Sequence, residues 1–139
     1  MQQHTLVSLI ERHGIDVNEH LDRDLTIPVL AGMQRQGDLL VVPVAEVTAK
    51  AEVPDHGTPV AVGGAGGHAH TIVADGPVRC DLRRPTSDVP VAAVLFVPEG
   101  SVGWLAHPEH AYLGIAPGSY EIRRQREQPI GQPVRLVED

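Results

Sequence analysis

Four histidines of this chain fall in two close pairs, His68 with His70 and His107 with His110. Side chains of a strand alternate between its faces, so a strand over residues 68–74 aims His68 and His70 at the same side. The second pair brackets a carboxylate in Ala106-His107-Pro108-Glu109-His110. Neutral imidazole is the commonest protein ligand for zinc, iron, nickel and copper, so the pattern points to a divalent metal ion held by His68, His70, His107 and His110, with zinc the first candidate. Glu109 would then complete the shell or, in an enzyme, act as the catalytic base toward metal-bound water. The competing expectation is a polar, pH-sensitive cluster in which His68 and His70 line a turn and the second pair is solvated. Spacing of this kind is less specific than His-Glu-x-x-His or paired Cys-x-x-Cys.

Other stretches carry weaker chemistry. The loop Gly63-Gly64-Ala65-Gly66-Gly67 lacks the Lys-Ser/Thr of a phosphate-binding loop and opens no predicted helix. Its expected use is steric, letting the backbone turn sharply or another element approach His68. Arg123, Arg124 and Arg126 form a basic run that suits planar anions, although in a strand Arg123 and Arg124 face opposite ways and pairing with Glu121 or Glu127 is the simpler expectation. Cys80 is the single cysteine, which excludes an internal disulfide and a thiolate metal cluster. In a strand it is expected to pack rather than react. Ser87, Ser101 and Ser119 lack a nucleophile-elbow context.

Composition bounds what must position these residues. A chain of 139 residues with 42% apolar and 21% charged residues is that of one ordinary globular unit. Phe96, Trp104, Tyr112 and Tyr120 are the whole aromatic set, so the core has to be aliphatic, and abundant valine favours strands. A formal charge of −7 argues against general nucleic-acid binding, which needs clustered positive charge. The longest apolar runs, 39–42 and 91–97, fall far short of the ~20 residues of a membrane helix, and residues 1–4 lack the start of a signal peptide. A cytoplasmic protein is expected.

Residues 4–14 suit a short amphipathic helix closed by Gly14, and Asp16-Val17-Asn18-Glu19 suits the start of a second through Arg23. Residues 1–32 are thus expected to form a helical or irregular arm, ahead of a single β domain over 33–139. Strands are predicted at 39–44, 47–53, 68–74, 78–82, 90–97, 102–105, 112–116 and 119–125, with a short one near 134–137. The turns Asp75-Gly76-Pro77, Pro98-Glu99-Gly100 and Pro117-Gly118 predict hairpins between the strands they join. Many short strands separated by turn signals indicate a mainly β fold, a small β-sandwich or partly closed β-barrel.

From Met33 onward, Gln36-Gly37-Asp38 with its apolar strand, Gly67-His68-Ala69-His70, His107-Pro108-Glu109-His110, Pro117-Gly118-Ser119-Tyr120 and Arg124-Gln125-Arg126-Glu127 together resemble a family of small bacterial and phage-borne proteins. The resemblance implies that the first 32 residues are an addition to a common core, and it carries no activity. A second likeness is to cupins, small β-barrels whose first metal motif runs glycine, His-x-His, acidic residue. His68, His70 and Asp75 stand near those places, but Asp75 is offset. The second cupin motif wants a histidine after a Pro-Gly turn, whereas His107 and His110 precede Pro117-Gly118.

Three functions follow as expectations. One is a metal-binding protein with a binding or structural role. Another is a cupin-like metalloenzyme activating water or oxygen through the same residues. In the last, an oligomeric assembly component without metal docks residues 1–32 on a neighbouring copy.

Overall fold

The computed structural model describes residues 4–62, 68–127 and 135–136. Its first element, α1 (Leu6–His13), opens on Thr5, whose hydroxyl accepts the Ser8 N–H, and closes on Gly14 at φ 78°. The Gly14 end matches the capping logic of the sequence, and Thr5 caps the other end. The second helix expected from Asp16 does not form. Asp16 and Asn18 accept the backbone N–H groups of Val17 and His20, and Asp22 accepts that of Asp24, so short side chains compete with the helix for its own donors.

Among the described residues the strands that follow are β1 (Val29–Leu30), β2 (Gln34–Gln36), β3 (Leu39–Val44), β4 (Thr58–Val62), β5 (Ala69–Asp75), β6 (Arg79–Leu82), β7 (Val91–Val97), β8 (Val102–His107), β9 (Ala111–Ile115), β10 (Gly118–Arg124), β11 (Arg126–Glu127) and β12 (Arg135–Leu136). One five-stranded sheet has the order β1-β9-β8-β5-β4 and the other β2-β3-β10-β7-β6, with β11 and β12 pairing separately. The pairing is antiparallel except for β1 on β9. The fold is mainly β and sandwich-like: the two sheets pack over Leu39, Val41, Leu95, Tyr120 and Ile122 from one side and Ile72, Leu105 and Ile115 from the other.

The three turns expected to make hairpins instead carry the chain between sheets. β5 and β6, β7 and β8, and β9 and β10 are each consecutive yet lie in opposite sheets. Outer faces explain the sorting. β5, β8 and β9 turn Val73, Trp104, Ala106 and Tyr112 outward, where the N-terminal arm buries them with Leu6, Leu9, Val17 and Ile27. The charged outer residues of β6 and β10, Arg79, Asp81, Glu121 and Arg123, would lie beneath that apolar cover if a hairpin kept them in the same sheet. β7 is apolar on both faces. Its outer Val94 and Phe96 are flanked in register by Asp81 and Glu121 and by Arg79 and Ser119 respectively.

No strand forms over 47–53. Lys50 and Ala51 instead donate their N–H groups to the Asp81 carboxylate, holding this segment beside β6 with one bridge, Glu52 to Arg79. Those two donors hold Asp81 below the usual carboxylate range.

The arm packs on its own β domain. Leu6 and Leu9 are fully buried, worth on the order of 1.5–3 kcal/mol each. Asp75, at the far end of β5 from His70, latches α1: it accepts from Arg12 at 2.8 Å and from the Trp104 indole at 2.9 Å. No helix among the described residues is long and apolar enough to cross a membrane.

Candidate functional site

Polar side chains gather at one end of the sandwich. The β2–β3 turn supplies Gln36 and Asp38, the start of β5 supplies His68 and His70, the β8–β9 turn supplies His107, Glu109 and His110, and the end of β10 supplies Arg124. His70 and His107 share the inward parity of Ile72 and Leu105, so they cap the core instead of facing solvent. Both are almost entirely buried, as are Gln36 and Asp38. His68 precedes β5 and is exposed, as are Glu109 and His110.

The four histidines are brought to one place around His107. Its ring centroid lies 4.3 Å from that of His70, 4.5 Å from His110 and 6.0 Å from His68, and the His70 and His110 rings lie parallel 6.1 Å apart. His70 and His68 each face a carboxylate: His70 Nε2 is 3.7 Å from Asp38 Oδ1, and His68 Nε2 is 3.7 Å from Glu109 Oε1. These gaps exceed hydrogen-bonding distance.

Gln36 fixes the protonation of His70. Its Nε2 donates to the backbone carbonyls of Leu105 at 2.9 Å and Ala111 at 3.0 Å, so the amide cannot be turned over. Its Oε1, an acceptor only, then faces His70 Nδ1 at 3.0 Å. Nδ1 must therefore carry a proton, and the Nε2 side of the ring faces Asp38.

His107 has the opposite assignment. Its Nδ1 accepts the Glu109 backbone N–H at 3.0 Å, which closes the turn and puts the proton of the neutral ring on Nε2. The turn ends in Ala111 at φ 70°, a left-handed conformation unusual for a residue with a Cβ. The arm steadies the same turn, since Asn18 donates its N–H to the Pro108 carbonyl at 2.6 Å and the Tyr112 hydroxyl donates to the Ile15 carbonyl at 2.8 Å. Burial pushes the Tyr112 phenol up to about 12.

Gln36 and Asp38 were not singled out as site residues by sequence, because Gln36-Gly37-Asp38 carries the composition of a turn. Asp38 Oδ2 also pairs with Arg124 at 3.3 Å, which ties β10 to the site. Among the described residues, no group of three or more His, Cys, Asp or Glu side chains already stands in an arrangement able to hold a metal ion.

This stretch from β2 to the end of β10 coincides with one family model, a domain of unknown function designated DUF8820, which matches residues 35–125. The chain belongs to the DUF8820 family. No curated protein and no solved structure matches it. The DUF8820 match contains Gln36, Asp38, all four histidines, Glu109 and Arg124, and begins after the arm.

The remaining candidates lie elsewhere. Cys80 is buried in the DUF8820 core, its thiol pushed up to about 12 by burial, with Asp81 adding to the shift. Arg123 forks onto Glu121 at 2.8 and 2.5 Å, as the simpler sequence expectation had it. The side chain of Arg126 and the glycine loop at 63–67 lie outside the described residues.

Proposed function

We propose that the polar end of this DUF8820 sandwich binds one divalent metal ion, zinc before iron, nickel or copper, in a binding or structural role. What carries the proposal is the His70–Gln36 contact. A metal-ligating histidine characteristically donates its second ring N–H to an oxygen acceptor, which fixes tautomer and orientation before the metal arrives. His70 has that arrangement, and its Nε2 and Asp38 Oδ1, 3.7 Å apart, are within the span of two donors that each approach a metal at about 2.0–2.2 Å.

His70 and Asp38 form the fixed half of the site. His68, His110 and Glu109 are exposed and turn about their side-chain torsions to complete it. His107, with Nδ1 committed to the turn, positions His110. A cytoplasmic setting suits a chain whose single cysteine is buried.

Elemental analysis of purified protein tests the proposal. Near-stoichiometric metal is expected in the wild type, lost in His70→Ala and reduced in a His68→Ala, His110→Ala double variant. Trace metal in the wild type that neither substitution nor a chelator changes overturns it.

Self-association through residues 1–32 is a separate proposal, supported by the exposure of Leu25 and Leu30 on the arm. Light scattering of wild type and Leu30→Lys tests it. A monomeric wild type rejects it.

A further inference from the structure

Large apolar side chains left exposed among the described residues fall in two sets. Leu25, Leu30 and Met33 lie in or beside the arm, and Leu82, Val89 and Phe96 lie on β6, β7 and the loop between them. One member of each set lines a groove. Leu25, with Ile27, Pro28 and Leu113, lines one of about 260 Å³ that has no Asp, Glu, Lys or Arg in its lining. Val89, with Arg83, Arg84, Val91 and Val94, lines one of about 280 Å³. The charges around the two sets are opposite. The arm exposes Glu19, Asp22 and Asp24, whereas Arg79, Arg83 and Arg84 are exposed on β6 and just after it. Glu121, which also lines the second groove, is paired with Arg123.

The two sets cannot meet within one molecule. β1 ends one sheet and β6 the other, and β4, at the end of its sheet away from β1, packs on β7 beside β6. The arm patch at β1 and the arginine patch at β6 therefore stand at opposite edges of the sandwich.

We infer that the arm patch of one copy docks on the β6–β7 patch of a second copy, apolar side chains meeting and Glu19, Asp22 and Asp24 lying beside Arg79, Arg83 and Arg84. The inference rests on the self-association proposal above and names the surface that receives the arm. A contact of this kind joins two different faces, so it propagates head to tail into a ring or a filament. A twofold pairing of arm with arm would instead oppose like charges.

Sedimentation velocity on the full chain over a range of concentrations tests it. The wild type is expected to assemble beyond a dimer, and its assembly to weaken as ionic strength rises, since salt screens exposed charge pairs. Arg83→Glu with Arg84→Glu should weaken assembly about tenfold or more, and Glu19→Lys with Asp24→Lys should do the same. All four side chains are exposed, so both double variants should keep the wild-type circular dichroism spectrum. Mixing the two folded double variants should restore assembly, because each arm then meets a face of opposite charge. Assembly that withstands the arginine substitutions, that strengthens with salt, or that the mixture fails to restore overturns the inference and leaves association through the arm standing. A monomeric wild type overturns both.

Discussion

Gln36 joins the two sheets through His70: its oxygen meets His70 Nδ1 at 3.0 Å while its nitrogen holds the carbonyls of Leu105 and Ala111. One buried amide thus ties β2 of one sheet to β5, β8 and β9 of the other. Replacing it with the similarly sized Met strands one buried donor and two buried carbonyls. Gln36→Met should cost roughly 2–4 kcal/mol in denaturant unfolding, since an unsatisfied buried polar group costs about 1–3 kcal/mol. A change below ~1 kcal/mol would show that the amide is dispensable.

The left-handed Ala111 gives a second measurement. A residue with a Cβ costs about 1–2 kcal/mol in that region, so Ala111→Gly relieves strain that offsets the loss of one buried methyl, about 0.8 kcal/mol. Its net effect should stay within ~1 kcal/mol of zero. Ala106→Gly, at a fully buried position in β8, has no strain to relieve and should cost about 1.5 kcal/mol from the lost methyl and the added backbone freedom. Equal losses at the two positions would refute the assignment of strain to the histidine turn.

Gly114 marks where the arm meets the domain. A Cβ there would lie 2.4 Å from the Pro28 carbonyl oxygen and 2.9 Å from the Trp104 ring. Gly114→Ala should detach β1 from β9, at a cost of about 1–3 kcal/mol, and red-shift Trp104 fluorescence. Limited proteolysis should then cut within the arm before the β domain. Resistance equal to that of the wild type would contradict the close approach.

The latch at Asp75 sets an acid response in two stages. Burial lowers the His13 pKa below its ordinary 6.5, outweighing the attraction of Asp75. The unfolded chain therefore takes up this proton first, and the stability contributed by neutral His13 declines as pH falls below 6.5 through the folded value. Asp75 is itself lowered from 3.8, because hydrogen bonds from Arg12 and Trp104 and the Arg12 charge together outweigh the opposing effect of burial. Its contribution is present above 3.8 and is lost as pH falls through the folded value. Melting followed by Trp104 fluorescence should show both declines, and Asp75→Asn should lack the lower one. An unchanged acid limb in Asp75→Asn would place the effect elsewhere.

Much of the architecture was legible because it is written in local pattern. Gly14 closes α1 through capping chemistry, and valine-rich runs between Pro and Gly turns located most of the strands. The spacing of His68 with His70, and of His107 with His110, marked the two turns that meet at the polar end.

Three things required the tertiary structure. Asp75-Gly76-Pro77 reads as a hairpin turn because a turn signal says only that the chain reverses. Whether β6 then pairs with β5 or crosses to the other sheet depends on what covers each outer face, and that cover, the arm, lies some sixty residues earlier in the chain. The segment at 16–23 lost its helix to Asp and Asn side chains whose competition with the backbone is settled only when packing is known. Gln36 and Asp38 looked like turn residues because nothing in Gln36-Gly37-Asp38 reveals that both side chains point inward. The sequence by itself determined which imidazoles sit close along the chain. Only the folded sandwich decided which nitrogen of His70 keeps its proton, since that follows from a hydrogen bond to a residue 34 positions away.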